Sequence, residues 1–320
     1  MRTIFEARGC SVIYNLLRSL GGERPFLLPS NVCPIVPVTF LKAGRAFRFV
    51  DIAEPDLVIN RDRCLELLKK DPDGFAGLLF VRTYGAEDDE DEFFCHLKEV
   101  QPELLIIDDK CLCRPDGDGI NLTRVADVTL FSSGHSKYVD LGFGGFAYLN
   151  ERVKYQRQGG LYSETALSIL TDRYKAAGEE RRRFEVPDEA WLDLSQPDTS
   201  WDDYRNQLQS ALKQADEQKR RLNAIYSDAL PSSIQLARKF QSWRFNVRLP
   251  QAKQLVARLF QAQLFASRHY QSVNGLFCDE RFAVAERLHN EVVNLFNDRY
   301  YDESRARRTT EIIIEHLQEL

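Results

Sequence analysis

The chain has 320 residues, 43% of them apolar and 28% charged, with a formal net charge of −5, a composition that excludes a disordered or fibrous protein and fits an ordinary folded one. Its acidic balance gives no general attraction for nucleic acid, and the basic runs Glu179–Arg183 and Arg305–Arg308 read as solvated faces. No stretch approaches the roughly 18 consecutive apolar residues of a membrane span. The length suits one large core or a large and a small lobe sharing an interface. The start MRTIFEARGC lacks the layout of a signal peptide, so the cytoplasm is the expected compartment. The seven cysteines are scattered, mostly inside apolar or helical patterns, and are expected to be reduced. Cys111-Leu112-Cys113 lacks zinc-site spacing and the five histidines are dispersed, so no metal is expected.

In chain order, Ser11–Leu20 places Val12, Ile13, Leu16, Leu17 and Leu20 on one stripe and stops at Gly21-Gly22, the pattern of an amphipathic helix. Strands are predicted at Pro25–Pro29, Ala46–Asp51, Gly77–Tyr84, Glu103–Asp108, Asp127–Phe131 and Gly145–Leu149, each short, apolar and bounded by turn residues. Arg61–Lys70 and Glu92–Val100 read as intervening helices. This alternation is the signature of a mainly parallel sheet with helices on both faces.

After Asn150 the pattern becomes helical. Asp188–Asp202 reads as a connecting loop, Tyr204–Ile225 as a long charged helix, and Ala252–Phe265, Phe282–Leu288 and Glu303–Leu320 as amphipathic helices. Arg244–Leu249 alternates as a half-buried strand does, which predicts a small sheet under these helices and an α+β second lobe. The expected division is a large unit over 1–155, connecting helices over 156–230 and a small unit over 231–320.

Ligands of open parallel sheets bind beyond the carboxyl ends of the strands. Polar residues there are the first candidates: Asp108-Asp109, then Ser132-Ser133-Gly134 with Lys137 shortly after, and Gly9-Cys10-Ser11 opening the first helix. Each also has an ordinary structural role, as a turn, a loop or a helix cap. Taken together and in this order they resemble the fold-type-I pyridoxal-phosphate enzymes, and among these the DegT/DnrJ/EryC1/StrS sugar aminotransferases. The resemblance is strongest in ELLIIDDKCLC followed by ADVTLFSSGHSKYVDLGFGGFAYLN, where the family has a strand ending in an acidic-Asp pair, then Asp-x-x-x-Phe-Ser, the cofactor-bearing lysine, Gly-Gly and a closing strand. FEARGCSVIYNLLRSL is similar to its phosphate-binding segment, and the stretch from ASRHYQSV to the end is similar to its small domain.

The resemblance implies a seven-stranded, mainly parallel α/β sheet with a smaller α+β domain, pyridoxal 5′-phosphate as cofactor, and a cytoplasmic homodimer. It assigns the covalent anchor to Lys137, the partner of the pyridine nitrogen to Asp109, and phosphate binding to Ser132, Gly9, Cys10 and Ser11. A lysine shielded from water beside cationic groups is expected to lose its proton easily. His269, Tyr270 and His135 are candidate substrate contacts; the His269-Tyr270 pair reads more plainly as packing or a loop anchor, and His135 reads equally well as a capped turn residue. The implied reaction moves an amino group from an amino donor, glutamate in the resembled family, to a keto sugar carried on a nucleotide; family members that dehydrate deoxysugars have histidine in place of the lysine. The chain departs from the pattern at Leu112, where Gln or His is usual, and no aromatic follows Pro29 to cover the cofactor ring. A non-catalytic member of the fold, or lyase or cyclase chemistry, therefore stays open.

Overall fold

The computed structural model describes residues 1–180 and 182–319; Arg181, within the basic run, and Leu320, at the end of the last predicted helix, lie outside the described residues. In chain order the first half comprises β1 (Arg2–Glu6), α1 (Gly9–Ser19), β2 (Phe26–Pro29), α2 (Ile35–Lys42), β3 (Phe47–Val50), β4 (Ile52–Ala53), β5 (Val58–Ile59), α3 (Arg61–Lys70), β6 (Gly77–Val81), α4 (Asp91–Val100), β7 (Leu105–Asp109), β8 (Val128–Ser132) and β9 (Gly145–Leu149). Then follow α5 (Glu164–Glu179), α6 (Trp201–Ala229), β10 (Phe245–Arg248), α7 (Ala252–Gln261), β11 (Ala266–Ser267), α8 (Ala283–Glu291), β12 (Val292–Leu295) and α9 (Glu303–Gln318).

The main sheet has seven strands in the order β1-β9-β8-β7-β6-β2-β3. Strands β3, β2, β6, β7 and β8 run parallel, β9 is antiparallel to β8, and β1 is antiparallel to β9. This is the expected mainly parallel sheet, with β1 as an additional edge that sequence reading left out. Successive strand residues face opposite sides. Leu27, Leu78, Phe80 and Ile106 therefore pack with Leu67 and Leu68 of α3 and Phe93, Phe94 and Leu97 of α4. Leu28, Leu79, Val81 and Ile107 pack on the other side with Val12 and Leu16 of α1 and Val36 and Phe40 of α2.

The same alternation separates the acidic pair at the end of β7. Asp108 turns away from the α1 side and accepts hydrogen bonds from Arg82 Nε (2.7 Å) and Nη2 (2.9 Å) and from the Thr123 hydroxyl. Asp109 faces the opposite way. The Arg82–Asp108 pair is almost completely buried, at 2% and 0% side-chain exposure, so it ties β6 to β7 beside the site.

A second sheet, β10-β12-β11, forms under α7 and α9 and the end of α6. The predicted strand Arg244–Leu249 is its β10. Its partner β12 was missed because Val292–Leu295 follows the helical pattern of α8 without a turn residue between them. Two helices were also missed: α2, whose uniformly apolar sequence lacks an amphipathic stripe, and α5, which starts at the cap Ser163, whose hydroxyl accepts from Ala166 N–H. Asp51 joins the two regions, accepting from Val284 N–H (3.0 Å) and Ala285 N–H (3.2 Å) at the start of α8, where a carboxylate suits the exposed amides and the dipole.

Replacing Arg82 with Met leaves Asp108 buried without its cation. Loss of one partner of a buried pair costs about 3–5 kcal/mol, so Arg82→Met should lower the urea midpoint of unfolding by a corresponding amount; a midpoint within error of wild type would show that the pair does not hold β6 to β7.

Candidate active site

The carboxyl ends of β2, β6, β7 and β8 and the start of α1 open onto one cavity of about 500 Å³. Gly9, Cys10, Asp109, Ser132, His135, Lys137, His269 and Tyr270 all line it. Ser11 does not: as the third residue of α1 it turns under the helix, is fully buried, and its hydroxyl donates to the Asp193 carbonyl while its N–H donates to Arg8 O (3.1 Å). The Ser11 assignment is thereby corrected, because neither polar group is available to a ligand.

The floor is built by close approach. A Cβ on Gly9 would lie 3.4 Å from Cys111 Sγ and 3.5 Å from Ser132 Cβ. Gly145 permits this packing, since a Cβ there would stand 2.2 Å from the Arg8 carbonyl carbon and the Gly9 nitrogen. Gly144 has φ +95°, and a Cβ would meet the Tyr204 ring at 2.5 Å. The Gly-Gly of the motif is thus what lets β9 pass beneath the start of α1.

At one end of the cavity the N–H groups of Gly9 and Cys10 begin α1 and have no backbone acceptor among the described residues. Ser132 Oγ, 3.2 Å from Gly134 N, and the Arg8 guanidinium complete this end. Arg8 Nη1 donates to Gly142 O (3.1 Å), while its buried Nε has no partner among the described residues. Free amides at a helix start together with a guanidinium form an anion site. Arg8 was not foreseen, although it directly precedes the Gly-Cys-Ser segment.

Asp109 Oδ1 accepts from Cys111 N–H (2.9 Å), and the Cys111 side chain is a further hydrogen-bond partner of this carboxyl. Burial raises the pKa of this carboxyl, against the opposing effects of Cys111 and Lys137. Lys137 follows Ser136, which has φ +59°. Burial pulls its ammonium down, but the surrounding Cys111, Cys33, Asp109 and Cys10 outweigh burial and hold it above the ordinary lysine value. This reverses the expectation of an easily lost proton, because the near neighbours are a carboxylate and thiols rather than cations.

Val32 and Cys33 occupy the wall after β2, where an aromatic was sought, and Tyr174, Trp243 and Tyr270 line the cavity from other elements. Leu112, 4% exposed, is also at the wall. His135 is a rim residue, its side chain 69% exposed with Nδ1 3.7 Å from Asp140 Oδ1. His269 and His289 lie deeper, and burial pushes each down to about 4, with Arg244 and Lys137 adding to the effect on His269 and Arg268 to that on His289. From α5 come Leu167, Thr171, Tyr174 and Lys175. The reading of 156–230 as connecting helices gave this helix no bounds and no face, so these residues were not singled out.

No family model and no curated protein matches this chain, whereas many solved structures share its fold. A DegT DnrJ EryC1 StrS aminotransferase from Brucella abortus superposes with a TM-score of 0.70 at 15% identity, covering 99% of this chain and 86% of that one. Helicobacter pylori PseC, an aminotransferase involved in the biosynthesis of pseudoaminic acid, gives 0.69 at 14% identity, covering 100% and 88%. The aminotransferase from Psychrobacter cryohalolentis gives 0.68 at 15%, covering 99% and 87%. The chain therefore has the fold of these aminotransferases, the fold-type-I architecture expected from its motifs.

The two buried histidines have a measurable consequence. Unfolded, each binds a proton near pH 6.5; folded, each resists until about 4. Their stability contribution is thus present above about pH 6.5 and lost as pH falls toward 4. Thermal unfolding should show a falling Tm between pH 6.5 and 5.5, above the carboxylate range, and His269→Gln with His289→Gln should flatten that slope; an equal slope in the double variant would show that these imidazoles are not buried neutral.

Proposed function

We propose that this protein is a pyridoxal-phosphate-dependent aminotransferase that moves an amino group from an amino acid, with glutamate as the first candidate donor, to a keto sugar, most simply one linked to a nucleotide. The observation that carries the reading is the set of groups that share one cavity. The amides at the start of α1, Ser132 and Arg8, a carboxylate held away from water at Asp109, and Lys137 all line it. Gly9, Cys10, Ser132 and Arg8 would hold the phosphate, Asp109 Oδ2 the ring nitrogen, and Lys137 the covalent attachment. Bound there, the cofactor supplies an electron sink for bonds broken at the α-carbon of an amino acid.

The chain's own groups have separate tasks. Asp109 would accept from the ring nitrogen and, as a carboxylate in a poorly hydrated place, would favour its protonated form. That pairing would also weaken its hold on the Lys137 ammonium. Lys137 Nζ would be the base that takes the proton from Cα of the amino acid and the acid that returns one. Tyr270, Trp243 and the α5 face around Tyr174 narrow the cavity and keep water from the reacting atoms. His269, Tyr270 and His135 remain the candidate substrate contacts. The cytoplasmic homodimer and the division at 1–155, 156–230 and 231–320 belong to the same reading.

Support comes from the fold, from neighbours that are themselves aminotransferases, and from a lysine where dehydrating relatives have histidine. Protein loaded with the cofactor and mixed with glutamate should lose its visible band, gain a shorter-wavelength one and release 2-oxoglutarate. Asp109→Ala should slow this half-reaction by at least about a hundredfold. Release of no oxo acid from glutamate or any common amino donor would contradict amino transfer and favour the lyase, cyclase or non-catalytic readings that Leu112 keeps open.

A further inference from the structure

Two buried residues outside the motifs grip the chain on both sides of Lys137. Trp243, 2% exposed, donates from its indole Nε1 to the carbonyl of Ser136 at 2.7 Å. Its ring lies parallel to that of Tyr84, with centroids 6.4 Å apart, and the Tyr84 hydroxyl donates to His269 O at 2.6 Å. Lys219 of α6, 4% exposed, donates to the carbonyl of that same Trp243 at 2.7 Å and to Asn297 Oδ1 at 2.9 Å. Its ammonium also stands 4.8 Å from the ring centroid of Tyr138, whose hydroxyl donates to Asp216 at 2.8 Å. Residues 136 and 138 are therefore both held, by the side chains of two residues linked through the Trp243 carbonyl.

Lys219 is an expensive way to fill a core position. It has no carboxylate within ion-pair distance among the described residues, and burial, with Arg244 adding and Asp298 and Asp216 opposing, brings it down to about 7. A Leu or Met of similar length would avoid that desolvation. What an apolar residue would not supply is the pair of donated hydrogen bonds and the cation–π contact to Tyr138. Within the loop, Ser136 N–H donates to Asp140 Oδ2 at 3.2 Å and Lys137 N–H to Gly134 O at 3.3 Å, and Ser136 is in the left-handed region, which a non-glycine residue rarely occupies unless its surroundings hold it there.

We infer that Lys219 and Trp243 are positioning residues that fix the Ser136–Lys137–Tyr138 segment so that the Lys137 amine is aimed into the cavity. The inference rests on the cofactor reading of that cavity and adds to it the groups that orient the anchor. Trp243 lines the cavity and Lys219 does not; the effect expected of both falls on how fast and how firmly Lys137 captures the cofactor. The rate at which visible absorbance appears when pyridoxal phosphate is added to cofactor-free protein measures this without turnover.

Trp243→Phe, which keeps an aromatic ring but removes the indole donor, and Lys219→Met should each slow capture about tenfold, in the range that loss of orientation gives. Lys219→Gln, which keeps an amide donor, should recover part of the rate. Leu259→Ala, in the core of the second sheet, should lower Tm yet capture at the wild-type rate. Wild-type rates in Trp243→Phe and Lys219→Met, or equal slowing in Leu259→Ala, would overturn the inference while leaving the cofactor reading intact. A wild-type protein that never acquires colour would overturn both.

Discussion

A carboxylate held away from water is costly to fold around unless a cation or a strong donor meets it. Asp109 is such a group. The β7 backbone turns it into the cavity while Asp108 beside it is consumed by Arg82 and Thr123. The lining of the cavity follows from that partition: a carboxylate, helix-start amides with a guanidinium, and Lys137, on elements that the parallel sheet brings to one edge. These groups suit a ligand that is both anionic and able to donate to a carboxylate, which is what ties the fold to the proposed chemistry.

The glycines make this possible at close quarters. Without Gly145 the β9 backbone and the start of α1 would collide, and the amides that form the anion site would be displaced from Ser132. Arg8 then reinforces helix amides with a full charge. The thiols Cys10, Cys33 and Cys111 surround Lys137, and burial raises the pKa of each.

The large sheet was readable because its strands are buried on both faces and bounded by turn residues, and because the residues that carry its chemistry cluster at strand ends. Lys137, Asp109, Ser132, Gly9 and Cys10 were proposed on that basis, and the cavity gathers them. Ser11 lies outside it: helix periodicity, which turns it under the helix, was not applied within the motif. Arg8 was overlooked one residue upstream. Trp243, Lys219, Arg268 and the α5 face could not be found locally, since each reaches the site through tertiary packing from a segment whose own pattern says only helix or loop. The raised Lys137 pKa likewise depends on neighbours that the sequence does not place together.

The central claim is that Lys137 is the one amine that bonds the cofactor aldehyde. Incubation of the protein with pyridoxal phosphate, reduction with borohydride and peptide mass mapping tests it directly. Label confined to the peptide containing Lys137 is the expected result. Label on Lys175, Lys219 or a surface lysine with Lys137 unmodified, or no stable label at all, would contradict it.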